Sequence, residues 1–398
     1  MSFTRLPETV KTTPTPFNVA VPESAILELK TLLKFAKVAP PTYESSRPDA
    51  NYGVTRDWIQ KAKAEWETFD WRKIEAHINA FPQYKIPITN TDGASYNIHF
   101  LALFSEKPDA VPIMMLHGWP GSFLEFLPIL GILSTRYTSA TLPYHIIVPS
   151  LPGYAFSDPP PLDRNFNLQD VARLLNSLMA QLGFDQYVVQ GGDIGSQTAR
   201  ILVAEHANCK AIHMNFCYMT EPPNFDTSSL TASDNDILER RDWFLRSASA
   251  YAFEHATRPS TLSFVLSSSP LALLAWIGEK FMDWTDEDPP MTTILESVSL
   301  YWFTDTISTS FYPYRNTTPV DKNHIDLSNN PKWHITKPFG YSAFPKEILQ
   351  SPRRWIETTG KLDFYREHDK GGHFAAIERP ETLLKDLEDF VSQVWSGV

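Results

Sequence analysis

The chain has 398 residues, 42% of them hydrophobic, enough for a large core with an inserted cap. Its 46 acidic against 35 basic residues leave a formal charge of −11, which argues against nucleic acid and anionic membrane surfaces as partners. A 13% aromatic share and 32 prolines point to much irregular, aromatic-lined structure.

At the start, Met1-Ser2-Phe3-Thr4-Arg5 contains no apolar run, so no secretory signal is expected and the protein reads as soluble and cytoplasmic. Residues 1–84 read as an N-terminal extension packed on a core. Helical patterns cover Glu23–Leu33 and Arg56–Phe69, and Trp58, Trp66 and Trp71 cluster here. Strands are expected at Lys85–Ile88 and Tyr96–Phe104, flanking the turn Thr91-Asp92-Gly93. Ile113–Leu116 is continuously apolar, as in a strand buried on both faces, and a helix is expected from Ser122. The strand His145–Val148, the helix Leu168–Leu182, the strand Tyr187–Gln190, a helix from Ser196 to His206 and the strand Lys210–Phe216 follow. Such alternation predicts an α/β fold with a mostly parallel, doubly wound sheet, its first part spanning 85–217.

Around residue 218 the alternation stops. Residues 218–335 read as a helical lid, with one helix at Pro270–Phe281. Its apolar run Leu271–Ile277 is too short to span a bilayer. The second part of the core, 336–398, carries extended or helical signals at Tyr341–Ile348, Leu362–Tyr365 and Glu381–Val394. Cys209 and Cys217 flank a strand that would hold them about 26 Å apart, so two reduced thiols are expected. The sequon Asn316-Thr317-Thr318 reads as coincidental.

In Gly191-Gly192-Asp193-Ile194-Gly195, small residues surround an acid between a strand and a helix. This is the pattern of a nucleophile elbow with a carboxylate in place of a hydroxyl. An ordinary acidic helix cap is the plain alternative. A serine attacking a saturated carbon would leave an ether that water cannot readily cleave, whereas a carboxylate leaves a hydrolysable ester. The substrate should therefore carry an electrophilic sp3 carbon, as in an epoxide or alkyl halide. His117-Gly118-Trp119-Pro120-Gly121-Ser122 follows a strand, as an oxyanion loop should; Pro120 has no N–H, so Trp119 and Ile194 are the candidate backbone donors. His373, in Gly371-Gly372-His373-Phe374, is the candidate base, and Glu347 the acid that orients it, with Glu357 and Asp363 as rivals. Nucleophile, acid and histidine then follow the chain order of this fold. His99, His145 and His213 lie in strand patterns and read as core residues; no metal-ligand spacing stands out. Opening an epoxide also needs a proton donor, and Tyr218, Tyr251, Tyr301, Tyr312 and Tyr314 are available.

These residues resemble the microsomal-type epoxide hydrolases of the α/β-hydrolase superfamily. The likeness covers most of the chain: Phe69-Asp70-Trp71-Arg72 with Phe81-Pro82-Gln83, the oxyanion loop, the elbow, Trp276-Ile277-Gly278-Glu279-Lys280-Phe281, and Gly371-Gly372-His373-Phe374-Ala375-Ala376. It implies an α/β-hydrolase fold, Asp193 as nucleophile, His373 as base and Glu347 as its acid. It also implies Tyr251 and Tyr314 as proton donors, although Tyr312 stands two residues from Tyr314. No cofactor or metal is implied; the partners are a small apolar epoxide and water, and a homodimer is compatible. The family's membrane-bound members carry an N-terminal anchor, whereas this sequence resembles a soluble relative. Two other readings remain. A haloalkane dehalogenase would want an indole beside the nucleophile, where Ile194 stands. A catalytically dead binding protein would not need the complete set of nucleophile, acid and histidine.

Overall fold

The computed structural model describes residues 3–47, 52–91, 93–320 and 324–395. Among them, short apolar runs form β1 (Thr15–Pro16), β2 (Gln83–Thr89), β3 (Ser95–Leu103), β4 (Val111–Leu116) and β5 (Tyr144–Pro149). β6 (Tyr187–Gly191), β7 (Cys209–Met214), β8 (Ile335–Ala343) and β9 (Gly360–Glu367) complete one sheet ordered β1-β2-β3-β5-β4-β6-β7-β8-β9. β1 to β3 pair antiparallel, as does β3 with β5, and every pair from β5 to β9 is parallel. Side chains of β4 alternate between two apolar clusters. Met114 and Leu116 face the helices Leu168–Gln181 and Asp193–Glu205; Ile113 and Met115 face Leu127–Arg136 and Pro380–Val394. Burial on both faces is what a continuous apolar run requires, and the sheet is doubly wound.

Between β7 and β8 the chain leaves the sheet as helices Ala232–Ser247, Ala250–Thr257, Pro259–Ser267, Pro270–Trp284, Met291–Thr304 and Tyr314–Thr317. Among the described residues no single helix is long and apolar enough to cross a membrane; the apolar pair Pro259–Ser267 and Pro270–Trp284 meets at 115°. Both cysteines are free and buried. Asn316 of the sequon is buried, and its Oδ1 accepts from Leu168 N–H.

The structure corrects the sequence reading in four places. The N-terminal segment has a third helix, Trp71–Ile78, capped by Asp70, and its two-residue β1 joins the sheet; both are too short for a periodic signal. This segment also straps the lid: Trp66 Nε1 donates to Ser299 Oγ at 2.8 Å, Trp71 packs on Phe303 at 5.0 Å, and Trp58 fills the space over Gly278. The extended or helical signal at Tyr341–Ile348 resolves as β8, which starts earlier and stops at Ala343, leaving Glu347 in the following loop. The helix expected from Ser196 begins at Asp193, with Gly192 as its cap residue. Of the hairpin turn, Asp92 lies outside the described residues, as do Met1 and Ser2.

Candidate active site

β6 ends at Gly191 and the next helix starts two residues later, so the chain must turn within Gly192 and Asp193. Asp193 takes the strain with φ 45°, a left-handed conformation uncommon outside glycine. The turn also runs hard against β4. A Cβ at Gly195 would lie 2.2 Å from the Leu116 carbonyl oxygen, and one at Gly191 2.5 Å from that of Gly195. Small residues are therefore steric requirements of the elbow.

The loop after β4 reaches over this turn. Trp119 N–H donates to Asp193 Oδ1 at 2.7 Å. Ile194 N–H lies in the first turn of the helix, where backbone donors have no intrahelical partner. Gly118 clears room for the carboxylate, since a Cβ there would stand 2.1 Å from Oδ1.

The loops after β8 and β9 are tied together by Lys346 N–H donating to Gly371 O at 3.0 Å. This brings the buried Glu347 to His373: His373 Nδ1 donates to Glu347 Oε1 at 2.7 Å. The opposite ring nitrogen, Nε2, faces Asp193 Oδ2 at 3.5 Å. The rival acids are elsewhere, Glu357 with Arg353 and Asp363 with Lys361. Burial alone would depress the His373 pKa. The Glu347 carboxylate and the Asp193 hydrogen bond outweigh it and hold His373 well above its ordinary value.

The lid closes the site with aromatics. Tyr251 stacks on Trp119 at 5.5 Å and meets Tyr314 edge-on at 5.8 Å. Burial raises both phenols, and the Asp193 charge raises them further, so both keep their protons. Tyr312 points elsewhere, against Phe166 at 5.3 Å. Tyr301 donates to Gly121 O, and Tyr218 sits among Arg241, Asp242 and Asp326. The strand histidines His99, His145 and His213 are buried, and burial lowers their pKa values.

Three nearby residues escaped the sequence reading. His255 accepts from Trp276 Nε1 and packs on Trp119 at 4.4 Å. Lys280, buried and paired with Glu279, sits 4.6 Å over the Tyr251 ring. Glu125 lines the same small cavity as Asp193 and His373. The helical spacing of Tyr251 and His255 was a usable signal; Lys280 and Glu125 are placed only by tertiary packing.

Residues 14–126 match the family described as "Epoxide hydrolase N terminus", and 111–299 that described as "alpha/beta hydrolase fold". The structure of Aspergillus niger epoxide hydrolase superposes with a TM-score of 0.94, at 49% identity over 99% of this chain and 100% of that one. A Dothistroma septosporum relative is 44% identical over 98% of this chain and 92% of its own length. Epoxide hydrolase 1 of Sus scrofa is 32% identical over 94% of this chain and 88% of its own.

Proposed function

The chain belongs to the epoxide hydrolase family, and from that premise we propose that it makes vicinal diols in two steps through an ester on Asp193. The observation that carries this reading is the division of labour between the two Asp193 oxygens. Oδ1 is held by Trp119 N–H at 2.7 Å, while Oδ2 faces His373 Nε2 at 3.5 Å.

In the first step Oδ2 attacks an epoxide carbon in line. The carbon–oxygen bond of the ring breaks, and the leaving oxygen takes a proton from Tyr251 or Tyr314. An alkoxide is a far stronger base than a phenolate, so the raised phenols still yield the proton. In the second step water attacks the Asp193 carbonyl carbon and gives a proton to His373 Nε2. Trp119 N–H and Ile194 N–H hold the oxyanion. Collapse expels the diol with the former Oδ2, which takes the proton from His373; the water oxygen stays in the carboxyl of Asp193, whose proton returns to the phenolate.

Aromatic walls favour a small apolar epoxide, and styrene oxide is a suitable probe. Two buried free thiols accord with a reducing, cytoplasmic setting. The test is His373→Gln mixed with styrene oxide and weighed intact. The expected product is protein plus one substrate, stable for many turnovers of the wild type. A folded, inactive, unmodified variant contradicts the scheme.

A further inference from the structure

The two-step scheme leaves one carboxyl beside the site without a task. Glu125 lies in the turn Phe123–Phe126, and its side chain folds back over the oxyanion loop. A Cβ at Gly121 would stand 1.4 Å from Glu125 Oε1, as one at Gly118 would crowd Asp193. The loop therefore runs between two carboxyls, each lying on a glycine. Glu125, Asp193 and His373 line one cavity of about 10 Å³, room for about a single water. On its other side, Gly121 and Glu125 line a second cavity of about 120 Å³, which extends past Ser297 and Glu296 to the exposed His77. Glu125 is the partition between them.

We propose that Glu125 is a positioning residue for ester hydrolysis: its carboxyl holds one hydrogen of the attacking water while His373 Nε2 takes the other, and the second cavity resupplies that water from the side away from the lid tyrosines. This rests on the two-step reading above. The water O–H bond breaks toward His373, its oxygen bonds the Asp193 carbonyl carbon, and Glu125 exchanges no proton. Burial, opposed by His373 and assisted by Asp193, raises the Glu125 carboxyl to about 8. The neutral acid that burial favours offers a carbonyl oxygen that can accept a hydrogen bond without competing with His373 as base.

Glu125→Ala and Glu125→Gln, in the full chain, are followed by rapid quench and intact mass with styrene oxide. Glu125→Ala should spare the alkylation burst and slow decay of the ester about tenfold, the worth of one hydrogen bond, with kcat and KM falling together. Glu125→Gln keeps an acceptor oxygen and should recover most of that loss. Ser297→Val, which narrows the second cavity and leaves Glu125 in place, should also slow ester decay alone; it reads the route even where Glu125→Ala does not fold. Wild-type decay in Glu125→Ala overturns the assignment, and wild-type decay in Ser297→Val overturns the water route. Equal losses in both steps that Glu125→Gln does not relieve also overturn the assignment, since these mark a packing role. An adduct in His373→Gln with normal decay in Glu125→Ala sinks this inference alone; no adduct in His373→Gln sinks the two-step reading itself.

Discussion

His373 must be a base in the second step, yet in the free enzyme it is held protonated by two carboxylates. Alkylation resolves the conflict. Once Asp193 is a neutral ester, its hydrogen bond and charge no longer favour the imidazolium, and burial pushes the proton off. The sign for the reaction follows: ester hydrolysis falls as pH drops through the His373 pKa of the alkyl-enzyme. Glu347→Gln removes the largest influence that raises that pKa. It should slow hydrolysis and shift the acid limb of single-turnover ester decay to lower pH; an upward shift would contradict the pairing. The phenols act earlier. Losing both Tyr251 and Tyr314 to Phe should slow alkylation by about 10²–10⁴-fold while ester decay is spared. Tyr312→Phe should behave as wild type, because that ring packs on Phe166. Burst kinetics on the three variants separate these outcomes.

The elbow, as an element, is a steric construction. Gly195→Ala places a methyl 2.2 Å from the Leu116 carbonyl, at the strand end that carries Trp119. It should cost about 1–3 kcal/mol in stability and displace the Trp119 N–H from Asp193. Thermal unfolding and the alkylation burst should therefore fall together; a fully active, equally stable variant would refute the steric argument. This dependence is why the elbow, the Trp119 loop and the His373 loop were legible in sequence: their chemistry demands small residues at fixed offsets after apolar strands. Glu347 was legible by its position after the lid and more strongly by the family resemblance, because the loop that carries it is set by where β8 stops. Tyr312 and Tyr314 could not be told apart, since only their placement at the start of the helix Tyr314–Thr317 turns them to opposite sides. The helix Trp71–Ile78, at 8 residues, and β1, at 2, offer too few periods to read. Glu125, half-buried, and Lys280, buried, look like ordinary helix-surface charges until the fold packs them beside the site.

Across the whole molecule, the N-terminal tryptophans fasten the lid and buried histidines set the acid limit. Trp66→Phe leaves the buried Ser299 hydroxyl without its donor and should destabilise the protein by about 1–3 kcal/mol. Burial depresses His117, His145 and His213 to about 4 and His99 to about 3, from 6.5. Their neutral forms favour the fold fully above 6.5, and that stability is lost as pH falls toward 4 and below. The melting temperature should drop through this window, with protons taken up on unfolding; a rise on acidification would contradict the burial. The covalent ester is the claim on which the remaining chemistry depends, and oxygen labelling reads it directly. With enzyme in excess over styrene oxide in heavy-oxygen water, the first-turnover diol should be unlabelled and the peptide carrying Asp193 should gain one heavy oxygen. A labelled first-turnover diol with an unlabelled Asp193 would mean that water attacks the epoxide directly, and the account would fall.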